Sequence, residues 1–138
     1  MEKANVASIP RSQKILCRAN CLSSDAVGHC VCITGSKTGS VYAVTKMDPR
    51  LSGTNQAVGI ITKKYSSTLC RFQLFGPLIG VYSSLVPGKR YWIDGDSTIT
   101  PIRPSPLPGG VLYLQLMGVA LDDDELLIHP NMPTILRG

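Results

Sequence analysis

The sequence predicts an all-β fold: a compact barrel or sandwich of about nine short strands, with an extended N-terminal arm and a C-terminal tail. Three observations carry this reading. Short runs rich in Val, Ile, Thr, Tyr and Cys alternate with turn residues along the chain. The 13 glycines and 10 prolines are spread as punctuation instead of massed in one segment. No stretch shows a convincing helical period of apolar residues. At 138 residues the chain suits one domain. Folding at that length buries roughly two-thirds of the unfolded surface, so no metal or disulfide is needed to hold it.

The elements follow in order. Residues 1–14 are polar and basic without periodicity and read as an arm; residues 15–129 read as the β domain. Ile15-Leu16-Cys17 opens the first strand, and Ser23-Ser24-Asp25 turns the chain. Gly28–Thr34 and Ser40–Thr45 form a hairpin around Gly35–Gly39. Ala57–Lys64 is the next strand. In Thr68–Phe75, Cys70, Phe72 and Leu74 share one face, and Arg71 and Gln73 the other. Gly76-Pro77 is expected to break that strand before Leu78–Tyr82. Pro87-Gly88 is a turn, because Pro presets one corner and Gly accepts positive φ at the next. Lys89–Asp94 and Thr98–Thr100 are strands. Pro101–Gly110, with four prolines, is an exposed extended loop. Val111–Leu121 is an apolar strand bent at Gly118, Asp122-Asp123-Asp124 is a turn, and Glu125–His129 closes the domain. Residues 130–138 read as a tail with no core pattern. Val58-Gly59-Ile60 and Met117-Gly118-Val119-Ala120 are loosely alike, as two related β-units in one barrel would be.

Composition excludes several classes. Fourteen basic and nine acidic residues give a net charge of +5, but the basic residues are scattered and few aromatics lie among them. That argues against a nucleic-acid groove. No run reaches the ~18 apolar residues of a membrane-spanning helix. Met1–Asn5 has no apolar signal core, so the expectation is a chain used without Sec export. Five cysteines, an odd number, argue against a disulfide framework. Cys17, Cys21, Cys30 and Cys32, with His29 beside them, can be written as a zinc cluster. Standard zinc pairs are separated by two residues, and these are not, so buried free thiols are the preferred reading.

No catalytic constellation emerges. His29 and His129 lack a recognisable partner in sequence. Asp122–Glu125 lacks the alternation of a calcium loop. Gly35–Gly39 lacks the order of a phosphate loop, and no Ser sits in a nucleophile elbow. The expectation is therefore a protein that is not an enzyme and takes no cofactor. What remains is surface. Tyr42, Tyr82, Tyr91 and Trp92 are the large amphipathic side chains suited to anchor an interface, and of the adjacent Tyr91 and Trp92 one must face outward.

From Ala57-Val58-Gly59-Ile60-Ile61 onward the order is distinctive. It runs through Gln73-Leu74-Phe75-Gly76, Gly80-Val81-Tyr82 and Leu85-Val86-Pro87-Gly88-Lys89-Arg90-Tyr91-Trp92-Ile93-Asp94. It ends in Gln115-Leu116-Met117-Gly118-Val119-Ala120-Leu121-Asp122 and Leu126-Leu127-Ile128. This half of the chain resembles the small β-barrel virion proteins of tailed bacteriophages, of the capsid-cement or head-decoration type. The resemblance implies a homotrimer made in the bacterial host cytoplasm. It would stand on the capsid surface and bridge capsomers through contacts with the major capsid protein. Candidate interface residues are Lys3, Arg11 and Lys14 on the arm, Tyr82 and Trp92 on the body, and Arg103, Pro104 and Pro106 on the loop. The alternatives are a tail, fibre or adaptor module of the virion, or a β-barrel that binds a small ligand or carbohydrate.

Overall fold

Backbone pairing divides the molecule into a closed barrel and a second sheet that grows out of it. The computed structural model describes residues 14–51 and 56–138; Lys3 and Arg11 lie outside them. Among the described residues there are eleven strands and no helix. The barrel comprises β1 (Ile15–Asn20), β2 (Cys30–Thr38), β3 (Val41–Lys46), β4 (Gly59–Lys64) and the first part of β5 (Leu69–Ile79). Its order is β1-β3-β2-β4-β5, closed by pairing of β1 with β5. The β1–β3 pair is parallel and the other pairs are antiparallel.

The second sheet takes the far part of β5 and adds β10 (Glu125–Ile128), β9 (Leu116–Asp122), β6 (Arg90–Ile93) and β7 (Ile99–Thr100). A separate ribbon joins β8 (Val111–Leu114) to β11 (Thr134–Arg137).

Strand alternation explains how the two halves share a sheet. Val31, Val44, Ile61, Cys70 and Phe72 point into the barrel, with Ala19 and Cys21 of the β1 edge. Cys30, Cys32 and Ile60, one residue out of phase, point the other way. They meet Tyr91, Ile93, Met117, Leu126 and Ile128 from the second sheet in a larger core. β2 and β4 are thus buried on both faces at this end, which is why they read as continuous apolar runs. The cysteines that can be written as one zinc cluster, with buried free thiols the preferred reading, fall in different cores: Cys21 in the barrel, and Cys30 and Cys32 in the other.

Several sequence expectations shift. Gly76-Pro77 does not end its strand. β5 runs on to Ile79, with Gly76 at φ 96° and Pro77 opposite Leu127. The buried Gln73 side chain donates to the carbonyls of Phe75 and Pro77, so the kink carries β5 from the barrel into the second sheet. The β2–β3 turn falls later than expected, at Gly39-Ser40, because β2 extends to Thr38 through two register shifts. The long apolar run, expected as one strand, is divided at Gln115 into two.

Gly118 has another task. A Cβ there would collide with the Leu127 carbonyl, as one at Gly59 would with the Gln73 carbonyl. The likeness between the two glycine-centred runs therefore reflects the same close approach to a neighbouring strand. They lie in two different sheets, not in one barrel. Finally, the segment read as a tail carries β11, whose ladder runs from Thr134↔Leu114 to Arg137↔Val111. Its side chains are mostly exposed, so it is held by backbone bonds that no side-chain pattern reveals.

Candidate interaction surface

The β8–β11 ribbon and the Pro-rich loop form one exposed rim. The Thr100 hydroxyl accepts the Ile102 N–H as the chain leaves β7. The loop ends in a turn where the Gly110 N–H donates to the Leu107 carbonyl. Gly138 N–H then donates to the Gly110 carbonyl, which ties the last residue to the loop. Ile102 is 77% exposed, Met132 71% and Leu107 60%, the three most exposed large hydrophobic residues among those described. Arg103 is exposed, and Pro104 and Pro106 are half-buried.

Two buried contacts set the rim against the body. Gln115 accepts the Ala57 N–H at 2.7 Å and donates to the carbonyls of Ala57 and Asn131, at 2.8 and 2.9 Å. An amide side chain here takes the place of a strand partner, which is why β8 and β9 part at this residue. The Pro49 carbonyl accepts the Tyr113 N–H, and the Arg50 guanidinium reaches the Ser105 carbonyl at 3.5 Å. Arg50, Asp94, Thr100, Arg103 and Ser105 line a cavity of about 410 Å³ beneath the loop.

The aromatic candidates divide. Tyr91 is buried, with its hydroxyl accepting the Val86 N–H, and Trp92 faces outward with the Arg90 guanidinium 5.7 Å from its ring. Tyr82 is half-buried and donates its hydroxyl to the Gly28 carbonyl at 2.6 Å. Burial pushes its pKa well above the ordinary tyrosine range. Tyr82 therefore acts as a strut between the Gly28 turn and the larger core. Tyr42 meets Phe72 edge-on at 5.9 Å. Lys14 is half-buried just before β1.

A second cavity, about 500 Å³, opens where the barrel meets the β6–β7 turn and is lined by His29, Lys46, Asp48, Asp96 and Ser97 among others. Its floor is structural. Buried Ser97, at φ 70°, donates its hydroxyl to the Met47 carbonyl and accepts the Cys30 N–H. His29 Nδ1 accepts the Ala26 N–H. Burial, then the Lys46 ammonium, lowers its pKa from the usual imidazole value. The Thr98 hydroxyl, bonded to the Asp96 carboxylate, holds that group below the usual carboxylate range. The Ser97 hydroxyl is thus committed to a backbone carbonyl.

Cys21, Cys30, Cys32 and Cys70 are buried, and Cys17 is half-buried. Burial pushes Cys30 upward, and burial followed by the neighbouring Cys21 thiol pushes Cys70 up to about 12. Among the described residues, one group of three ligand side chains converges, with oxygens within 4.8 Å: the exposed Asp122, Asp123 and Asp124.

Sequence reasoning found the loop from its prolines. It missed Arg50, which arrives from a different part of the chain with no local signal. Set against family models, curated proteins and solved structures, the chain matches none.

Proposed function

We propose that this protein is a structural component of a phage virion, of the capsid-cement or decoration type. It binds the assembled head and stabilises it by bridging capsomers, and it is itself a homo-oligomer. The observation that supports this reading most is the Pro-rich loop: Ile102 and Leu107 stand in solvent on it, over one cavity, while Gly138 ties its end to a well-packed body. Isolated exposed apolar residues are ordinary, but two on one loop over a shared cavity fit a surface that is covered in use. Stiff prolines there lower the entropy lost on docking. A partner that binds only the assembled shell stabilises it by mass action.

The alternative of a ligand held inside a barrel is less favoured, because Phe72, Ile61, Val31 and Val44 fill the interior of the five-strand barrel. A ligand-binding role would fall to the surface cavities instead. The test is to heat purified heads with and without the protein and follow DNA release. Added protein raises the release temperature if the reading holds. Unchanged release, with no protein on the heads, rejects it and favours a tail, fibre or adaptor role.

A further inference from the structure

The cavity beneath the Pro-rich loop has a charge that suits one particular occupant. Arg50 and Arg103 face Asp94 alone among its charged lining residues, leaving the wall net positive. The Arg50 guanidinium lies at the cavity wall, 3.5 Å from the Ser105 carbonyl and close beside Gly95, where an added Cβ would lie 2.9 Å from it. Asp94 is engaged by the Gly95 N–H at 2.7 Å. A guanidinium presents a planar fork of N–H donors that matches a carboxylate bidentately.

The chain carries the complementary surface at its other end. The carbonyls of Asp123 and Asp124 accept the N–H groups of Leu85 and Gly80, which fixes the β9–β10 hairpin tip against the body. Its three carboxylates, all exposed and within 4.8 Å of one another, repel each other until cations arrive.

The hairpin cannot reach its own cavity. Asp94 lies two residues beyond Trp92, which pairs with Leu116 at one end of β9, and Asp122 stands at the other end. At strand rise this separates them by roughly 20 Å.

We propose that this cavity is a carboxylate-binding site that receives the Asp122–Asp124 hairpin of a second copy of the chain. The contact is head-to-tail, so it propagates until a ring closes. It rests on the self-assembly part of the proposed function, not on head binding, and the two are read separately.

The test is the solution mass of the isolated protein by light scattering at about 0.05 M and about 0.5 M salt. The wild type is expected to associate at low salt and to weaken at least tenfold at high salt. Arg103→Glu alone, or Asp123→Lys with Asp124→Lys, abolishes association, and one chain carrying all three changes regains it. Asp123→Asn with Asp124→Asn, which keeps the turn chemistry, weakens association about tenfold at an unchanged melting temperature. A wild type that stays monomeric at low salt overturns the proposal. So do hairpin variants that associate as tightly as the wild type. Head binding by a monomeric protein would leave the head-binding part of the function standing and remove both self-assembly and this contact.

Discussion

In the barrel each strand has a neighbour on both sides, and the ring closes through the β1–β5 ladder. Across the molecule, the second sheet runs out at the two-residue β7, and the β8–β11 ribbon ends in a four-residue strand whose side chains are mostly exposed. The contrast continues in the side chains. The barrel buries Phe72, Ile61 and Val31 almost completely, whereas the loop and C-terminal segment leave Ile102, Met132 and Leu107 outside. Closure removes edges and concentrates stability. Short edges and a Pro-rich loop leave backbone and apolar surface for contacts with other molecules. The same chain thus separates the part that holds its shape from the part that stands open to solvent.

The largest break in that comparison is expected from Phe72→Ala in the barrel. A buried aromatic truncated to Ala leaves a cavity and costs about 3–5 kcal/mol, read by chemical denaturation. A loss below about 1 kcal/mol, the size of an ordinary surface change, would show that the barrel core does not carry the stability assigned to it.

Gln115→Leu is expected to cost less, about 1–3 kcal/mol, because it strands both backbone groups of Ala57. It should also loosen the 130–138 segment, visible as faster amide exchange at β11. On the rim, Ile102→Ser with Leu107→Ser should move stability by no more than about 0.5 kcal/mol while weakening partner binding. A large loss of stability would mean that the loop is core and not contact surface.

The smallest effect concerns pH at the cavity between the two halves. His29 is lowered in the folded state, so the unfolded chain takes up the proton first as pH falls through its ordinary value of 6.5. Stability from this group is full above that pH and declines below it until the folded pKa is passed. A His29→Asn variant should flatten this slope in melting temperature between neutral and mildly acidic pH.

Much of the architecture is legible in the sequence where the cause is local. The alternation around Cys30-Val31-Cys32 places the thiols on one face, and Pro87-Gly88 turns the chain with Gly88 at φ 86°. Four prolines mark the exposed loop. What the sequence hides is settled at long range. Gly76-Pro77 carries every local sign of a strand end, yet the strand only changes partners, because Gln73 supplies bonds across the kink. Gln115 looks like a polar interruption until Ala57 and Asn131 come to it. Buried Asp25 accepts the Thr45 hydroxyl and the Lys46 N–H, some twenty residues away in sequence. The β11 ladder is invisible because its side chains bury little. Arg50 joins the loop only because the backbone at Pro49 pairs with Tyr113.

The central claim is that the loop and its C-terminal flank meet the head while the barrel holds the fold. The most direct measurement is co-sedimentation with purified heads, comparing the wild type with the Ile102→Ser, Leu107→Ser double variant at matched melting temperature. The account predicts that the wild type sediments with heads and that the variant remains in the supernatant while still folded. Equal binding by both proteins, or binding by neither, would contradict it.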